Sequence, residues 1–292
     1  MNSRQIIALA AVSMMLAACG GDDKNDDHSG GGSEQPQGQV VSFAPSVGPF
    51  QEYGDNGRLQ NSSINRAFSS GDNFALWAMT DNSRPTGSGT TYSYAGGRLQ
   101  AVGNGLTTDG RQSATYYAVT PQTTATVGSI SFTALADQST ESTFWANDLC
   151  TATASATTSA NVTLSFNHRL CCVCFNIVGD AVKGTISQVR LNEVRLGAQL
   201  SFDGGDNQAT GATSTVRTCK RGQSYYAIVP PQSFSAGSAL AVITLDGQDY
   251  EVVFDEAITY EGGAVHYLDA YYHADDTPTF VGLTGDINPW EK

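Results

Sequence analysis

The sequence predicts an all-β protein with two β-sandwich domains in tandem. Short apolar stretches recur along the chain, separated by clusters of Gly, Asn and Asp at the spacing typical of sandwich strands. No long stretch shows the 3.6-residue periodicity of an amphipathic helix. Residues 116–121 (YYAVTP) recur as residues 225–230 (YYAIVP). Two similar domains would explain this repeat, and chance similarity of common residue types is the alternative.

Residues 161–177 (NVTLSFNHRLCCVCFNI) are predicted to form a central strand of one sandwich. From Val162 to Phe166 the apolar residues stand at even-numbered positions, whereas from Val173 to Ile177 they stand at odd-numbered positions. A side-chain period of two cannot direct both sets into one core, so a bulge or bend is expected at residues 170–172. The two halves of the strand can then serve different layers.

The other strands follow the same pattern of apolar stretches bounded by turn residues. Residues 48–73 are predicted to form a long polar loop, and residues 137–160 an irregular segment. The remaining strands are predicted at residues 40–44, 74–79, 90–102 (a hairpin turning at Gly96 and Gly97), 114–120, 130–135, 186–191, 195–202, 214–218, 224–229, 240–245, 250–254 and 264–272.

The N-terminus has the features of a bacterial lipoprotein signal peptide. Arg4 precedes an apolar run over residues 6–18, which ends in Leu-Ala-Ala directly before Cys19. The run is too short to span a bilayer as a permanent helix. We therefore expect residues 1–18 to be removed and Cys19 to carry the acyl chains of a membrane anchor. A plain secretory signal followed by a chance cysteine is the alternative.

The chain after the signal is expected to consist of a tether and two domains. Residues 19–39 are rich in Gly, Asp and Ser and contain almost no apolar side chains, so they cannot offset the entropy cost of ordering. We expect this tether to be disordered. The N-terminal β-sandwich is predicted at residues 40–179 and the C-terminal β-sandwich at residues 180–292.

Charge and motif content argue against nucleic-acid binding and against catalysis. The chain has 28 acidic and 15 basic residues, a net charge of −13, which is the wrong sign for phosphate contacts. Gly-x-Ser-x-Gly, His-Glu-x-x-His and P-loop motifs are absent. His168 is interpreted as a strand residue whose ring finds local partners, and the Asp-rich turn at residues 203–207 lacks the Glu of a calcium loop. We expect no enzymatic activity, no cofactor and no nucleic-acid partner.

Five cysteines follow Cys19, and their positions favour buried thiols. An odd number leaves at least one thiol free unless it pairs between molecules. In a strand, Cys172 and Cys174 share one face and Cys171 lies on the other, which suits small buried side chains better than a tetrahedral metal site. No metal is therefore expected. One disulfide is the alternative, and Cys150 is then the best candidate partner for the cluster.

Several segments of the chain occur in the order found in one known family. Together they resemble the Bacteroidales fimbrillin-like lipoproteins, the type V pilin family, over nearly the whole mature chain. This resemblance implies transthyretin-like β-sandwich domains in a structural or adhesive subunit of a fimbria. One departure is Cys171-Cys172, where the family commonly has Ala-Lys. The segments are the lipoprotein signal and residues 74–78 (FALWA), 116–121 (YYAVTP), 132–138 (FTALADQ), 164–170 (LSFNHRL), 225–232 (YYAIVPPQ) and 287–290 (INPW).

The resemblance also implies assembly by strand donation. In the family, an arginine-specific protease removes the first strand of the lipoprotein at the outer membrane, and an extended segment of a neighbouring subunit fills the emptied groove. Here cleavage would fall between Arg66 and Ala67, with Arg58 as the alternative, and would release residues 40–47. The donor segment is expected at residues 278–290. Its plug residues would be Phe280, Val281, Leu283 and Ile287.

The resemblance further implies the partners and the location. Expected partners are other fimbrial subunits, the outer membrane through the lipid anchor, and ligands on host or bacterial surfaces. The expected location is the outer-membrane surface, a fimbrium, or both. The alternative is a non-polymerising surface lipoprotein that binds glycans on exposed aromatic residues, for which Trp77, Trp145, Trp290 and the tyrosine pairs are candidates. Coplanar exposed aromatics would favour glycan binding, whereas a poorly packed C-terminal strand would favour polymerisation.

Overall fold

A computed structural model describes residues 38–53, 59–202, 207–274 and 278–283 of the chain. Nearly all regular structure in these ranges is β-strand, which confirms the predicted all-β class. The predicted signal peptide, Cys19, the tether up to residue 37 and Arg58 lie outside the described residues.

The described residues form 24 strands and one short helix. In chain order these are β1 (Gln39–Val40), β2 (Ser42–Val47), β3 (Gln51–Tyr53), β4 (Leu59–Asn61), β5 (Asn73–Met79), β6 (Thr90–Ala95), β7 (Arg98–Ala101), β8 (Thr107–Thr108), β9 (Ala114–Thr120), β10 (Ala125–Thr126), β11 (Ser129–Thr133), α1 (Glu141–Trp145), β12 (Cys150–Thr157), β13 (Asn161–His168), β14 (Cys171–Gly179), β15 (Ile186–Ser201), β16 (Gln208–Arg217), β17 (Cys219–Arg221), β18 (Ser224–Val229), β19 (Gln232–Phe234), β20 (Ser238–Leu245), β21 (Gln248–Phe254), β22 (Ile258–Tyr260), β23 (Val265–His273) and β24 (Thr279–Leu283).

Seven strands form a closed sheet in the order β12-β13-β2-β7-β6-β5-β9. β2 runs parallel to β13, with Phe43 opposite Val162 and Val47 opposite Phe166. On its other side β2 pairs antiparallel with β7 through Phe43 and Leu99. The interior of this sheet is the N-terminal core, a cluster of buried residues that includes Phe43, Phe74, Leu76, Tyr116 and Leu164.

Two further sheets pack face to face. One contains β10-β11-β15-β20-β21, with β16 also paired to β15, and the other contains β17-β18-β14-β23-β24. Because side chains alternate between the two faces of a strand, one face of each sheet can be directed into a common interior. Buried residues of both sheets form one cluster, which confirms the predicted β-sandwich architecture. The common interior is the C-terminal core, which includes Val173, Phe175, Leu191, Ala227, Ile243, Phe254 and Tyr272.

The predicted central strand at residues 161–177 is two strands that belong to different sheets. β13 lies in the closed sheet, and β14 pairs with β18 and β23. The chain leaves β13 at Arg169 and Leu170, which is where the apolar residues change from even to odd positions. Strand partners thus change at 169–170, ahead of the predicted domain boundary at 179. The described residues form one compact unit, so the division into two domains stays a prediction.

The repeated motif occupies equivalent positions in its two copies. On β9, Tyr116 lies in the N-terminal core, whereas Tyr117 lies in a third cluster, the middle core. On β18, Tyr225 lies in the C-terminal core, whereas Tyr226 packs against the middle core. In each copy, the first tyrosine lies in the core of its own sheet, and the second tyrosine contacts the middle core. The middle core includes Phe50, Trp77, Val119, Phe144, Leu170, Cys172 and Ile228.

Several segments differ from the predicted pattern. The short strands β8, β10, β17, β19 and β22 were not predicted. The predicted loop at residues 48–73 contains the short hairpin β3–β4. The segment at 137–160, predicted irregular, contains α1 and β12. The strand was missed because its Ala, Thr and Ser residues carry little hydrophobic signal. β15 is one strand where two were predicted, and it passes through Glu193 at a φ of 57° with an irregular register. The ranges that the structure covers contain no helix long and apolar enough to cross a bilayer.

Candidate functional site

The first long strand of the fold, β2, is held as an insert in the closed sheet. Its register with β13 covers residues 42–47, whereas its pairing with β7 is a single residue pair. Phe43 is fully buried and packs edge-on against Tyr92 and Tyr116. Removal of β2 would leave an apolar groove between β13 and β7 with unpaired backbone groups on β13, which is the kind of edge that accepts another strand.

The chain directly after β2 makes a second set of buried contacts. Phe50 is fully buried, and its ring stacks on the His168 imidazole with 3.8 Å between centroids and 12° between planes. The Gly48 carbonyl accepts a hydrogen bond of 2.8 Å from His168 Nε2. The Gln51 backbone N–H donates to the Gly263 carbonyl at 2.8 Å. Residues 42–51, here called the N-terminal segment, are thus fixed to β13 and also to the turn before β23.

His168 belongs to a buried polar cluster with Asp148 and Cys150. His168 Nδ1 lies 2.6 Å from Asp148 Oδ1, and the Cys150 thiol donates to the same oxygen at 3.4 Å. Burial raises the pKa of Cys150 well above its usual value, and the Asp148 carboxylate adds to the shift. The shift favours the protonated thiol over the reactive thiolate. The local partners predicted for His168 are confirmed.

The same three side chains are a possible set of metal ligands. Asp148, Cys150 and His168 offer ligand atoms within 4.8 Å of one another, and all three are buried. In the arrangement described, they hydrogen-bond to one another, and His168 also donates to the Gly48 carbonyl. Sequence analysis missed the cluster, because Asp148 and Cys150 stand in the segment that was predicted to be irregular. One signal in the sequence could have indicated that His168 is buried. It stands two positions after Phe166, on the apolar side of the alternating pattern of β13.

All five described cysteines are free and buried. The alternative of a disulfide between Cys150 and the cluster is therefore wrong. Cys150 lies in the N-terminal core, Cys171 in the C-terminal core, and Cys172, Cys174 and Cys219 in the middle core. Cys150 is therefore buried in a different interior from the cysteines of the cluster. The predicted opposite orientation of Cys171 and its two neighbours is confirmed.

The predicted cleavage position lies in a segment without regular secondary structure. Ala67 is exposed, and the Arg66 side chain is 22% exposed. Arg66 Nη2 pairs with Asp72 Oδ1 at 2.5 Å, and Nη1 donates to the Trp145 carbonyl at 3.4 Å. A cavity of about 450 Å³ adjoins this arginine. Irregular exposed segments are where proteases cut, but here the arginine side chain must first leave its carboxylate partner.

The described part of the predicted donor segment is packed on its own chain. β24 is the edge strand of its sheet and pairs with β23 from Thr279 to Leu283. Phe280 is 7% exposed and contacts Tyr272 in the C-terminal core, whereas Val281 is 44% exposed. Leu283 is half-buried, and Ile287 lies outside the described residues. The plug roles of these four residues stay a prediction.

The aromatic residues considered for glycan binding are mostly part of the cores. Trp77, Tyr116, Tyr117 and Tyr225 are buried, and Trp145 is half-buried, while Trp290 lies outside the described ranges. Among the large apolar side chains exposed in the described part of the chain, one is aromatic: Tyr267. Its hydroxyl donates to Glu52. In the described ranges, no second aromatic side chain is exposed to the extent of Tyr267.

Comparison with known proteins adds a family to this geometry. Residues 60–290 match the family described as fimbrillin-like. A crystal structure from Bacteroides ovatus, described as a "putative cell adhesion protein", aligns with a TM-score of 0.64 and 16% identity over 86% of this chain and 97% of that one. A second, with the same description, from Bacteroides uniformis aligns with a TM-score of 0.57 and 16% identity over 82% and 97%. At this identity the structures support the fold. A search of curated protein sequences found no match.

Proposed function

The chain belongs to the fimbrillin-like family, and from this premise we propose that it is a structural or adhesive subunit of a fimbria that assembles by proteolysis-triggered strand exchange. The observation that carries the proposal is the placement of β2. It lies inside the closed sheet with Phe43 fully buried, on the N-terminal side of an exposed irregular segment that contains Arg66.

The acceptor site is the groove that β2 and the residues after it now fill. A cut between Arg66 and Ala67 would separate β1 to β4 from the rest of the chain. The separated piece is held by backbone pairing to β13 and β7, by the hydrogen bonds of Gly48 and Gln51, and by apolar contacts. None of these contacts is covalent, so the piece can dissociate from the remaining fold. The groove left behind exposes buried apolar surface and backbone hydrogen-bonding groups. An extended segment of another subunit that enters the groove would cover the apolar surface and pair with the backbone groups.

The donor in this proposal is the segment 278–290 of a second copy or a related subunit. Its candidate plugs are Phe280, Val281, Leu283 and Ile287. Phe280 is now buried in the C-terminal core of its own chain, so its use as a plug requires β24 to detach from β23.

The lipid anchor completes the proposal. Cys19, acylated after removal of residues 1–18, would hold the precursor at the outer membrane through the tether. Cleavage after Arg66 would leave the lipid with the N-terminal piece and free the remaining subunit to join a surface filament. Location at the outer-membrane surface and then in a fimbrium follows from this order of events.

The test uses the full mature chain and an arginine-specific protease. Wild-type protein should lose residues up to Arg66, as measured by intact-mass spectrometry, and then form multimers on size-exclusion chromatography. Arg66→Ala should stay intact at this position and monomeric, whereas Arg58→Ala, the matched control in the same segment, should behave as wild type. The proposal fails if the treated wild-type chain keeps residues 40–47 and remains monomeric.

A further inference from the structure

The segment that β2 belongs to has a counterpart near the other end of the sequence. Residues 41–50 read VSFAPSVGPF, and residues 281–290 read VGLTGDINPW. With a constant offset, Val41 aligns with Val281 and Pro49 with Pro289, whereas Pro45 aligns with Gly285. Phe43 falls on Leu283, Val47 on Ile287 and Phe50 on Trp290. The two segments thus share the order and the spacing of their apolar residues.

The shared positions are the ones that face inward in the structure. Val41, Phe43 and Phe50 are buried and Val47 is half-buried, and each has an apolar counterpart. The intervening Ser46 and Gly48 are exposed, and their counterparts are polar, Asp286 and Asn288. An extended chain with this pattern presents its apolar side chains to the groove and its polar ones to solvent.

From this correspondence we infer that residues 283–290 of one copy occupy, in a cleaved neighbouring copy, the site of residues 43–50, in the same direction and register. The inference rests on the proposed strand exchange and adds to it the residue-by-residue placement of the donor. Leu283 takes the position of Phe43 between Tyr92 and Tyr116, and Ile287 takes the position of Val47.

The end of the donor segment meets His168. In the present structure, His168 donates from Nε2 to the Gly48 carbonyl and stacks on Phe50. In the exchanged state, the Asn288 carbonyl accepts this hydrogen bond and the Trp290 indole stacks on the imidazole. Both carbonyls precede a proline, which holds the preceding residue in an extended conformation, so the geometry of the acceptor is retained. His168 is therefore a specificity residue for a carbonyl followed by Pro and an aromatic ring.

A cavity adjoins the chain segment that the end of the donor would replace. A cavity of about 380 Å³ adjoins Pro49 and His168 and is bounded on its far side by residues 261–264. Trp290 replaces Phe50, whose chain neighbours Pro49 and Gln51 line this cavity although the Phe50 side chain does not. The smaller Leu283 replaces Phe43 at the other end of the groove.

The placement also fits the position of β24. Leu283 is its last residue, and residues up to Gly282 can remain paired with β23 while the following residues reach the neighbouring copy. Phe280 then stays in its own core, and the donor contacts come from Leu283, Ile287 and Trp290. This assignment keeps two of the four predicted plugs and adds the tryptophan.

The register can be tested by cysteine cross-linking between subunits. In the present structure Ala44 lies opposite Thr163, and Ser46 lies opposite Ser165. By the inferred register, Thr284 takes the place of Ala44, so a variant carrying Thr284→Cys and Thr163→Cys should form an intersubunit disulfide after cleavage and mild oxidation. The matched control, Asp286→Cys with Thr163→Cys, is two residues out of register and should cross-link at least about tenfold less, because disulfides need Cα atoms within about 7 Å.

A second measurement keeps the test independent of the cysteine variants. Trp290→Ala should slow multimer formation of the cleaved protein at least about tenfold, and Trp290→Phe, which restores the ring that Phe50 supplies, should assemble close to the wild-type rate. Cross-linking in the control pair, or normal assembly of Trp290→Ala, would overturn the register while leaving strand exchange intact. Failure of the cleaved wild type to assemble at all would overturn both proposals.

Discussion

His168 Nδ1 lies 2.6 Å from Asp148 Oδ1, and both side chains are 4% exposed. On its other side the imidazole donates to the Gly48 carbonyl, so the pair connects the closed sheet to the N-terminal segment. A buried pair of this kind is costly to break, because the partner that remains is a desolvated polar group without its hydrogen bond.

We therefore expect His168→Ala to lower the free energy of unfolding of the uncleaved chain by about 3–5 kcal/mol. Urea denaturation measures this quantity. Asn167→Ala, an exposed neighbour on β13, is the matched control and should change stability by less than about 0.5 kcal/mol. The double variant Asp148→Asn with His168→Ala should recover part of the loss. A His168→Ala protein as stable as its control would show that the pair does not hold the segment.

The state of the cysteines gives a second prediction. Burial raises the pKa of Cys150, Cys171 and Cys172 well above the usual value, and the thiolate is the reactive form. In a chain that begins after Cys19, a thiol reagent at pH 8 should react slowly with the native protein and with five thiols in denaturant. A native disulfide would reduce the number found in denaturant to three.

The contact between Asp72 and Arg66 gives a third prediction. One Asp72 oxygen pairs with Arg66, and the other accepts from the Ser69 backbone N–H, so this carboxylate holds the chain on both sides of the predicted cut. Partly exposed ion pairs contribute up to about 1 kcal/mol, which corresponds to about a fivefold change in an equilibrium. Asp72→Asn should therefore speed cleavage after Arg66 severalfold, measured by the rate at which the released fragment appears.

The control for this prediction is an aspartate that does not contact the cleavage segment. Asp81→Asn removes an exposed carboxylate that accepts from Ser83 and should leave the cleavage rate unchanged. Raising the salt concentration should reduce the difference between wild type and Asp72→Asn, because salt screens exposed pairs. Equal rates for wild type and Asp72→Asn at low salt would exclude a protective role of this ion pair.

The sequence predicted the fold better than it predicted the contacts of the candidate site. Periodicity located most strands, and the change of parity within residues 161–177 located the step between two sheets. It could not show that β2 is inserted between β13 and β7, because strand partners far apart in sequence are set by tertiary packing. The Asp148, Cys150 and His168 cluster was missed because Asp148 and Cys150 stand in the segment that was predicted to be irregular, so the pairing of Cys150 with His168 was not foreseen.

The last prediction concerns pH and His266. The Glu261 backbone N–H donates to His266 Nε2 at 2.8 Å, which requires that nitrogen to be unprotonated. Burial lowers the pKa of His266 from its usual 6.5, and the nearby Glu261 carboxylate opposes the shift without cancelling it. The unfolded chain therefore binds the proton more readily than the folded chain. The contribution of His266 to stability is complete above about pH 6.5 and is lost as the pH falls towards the lowered value.

We expect the wild-type chain to lose more stability between pH 7 and pH 5 than His266→Gln, whose side-chain oxygen can accept the same hydrogen bond but does not titrate in this range. Urea denaturation of both proteins at the two pH values measures the difference, and the other histidines cancel because both proteins contain them. If the two proteins lose stability equally, His266 titrates alike in the folded and unfolded chains, and its burial has no energetic consequence at these pH values.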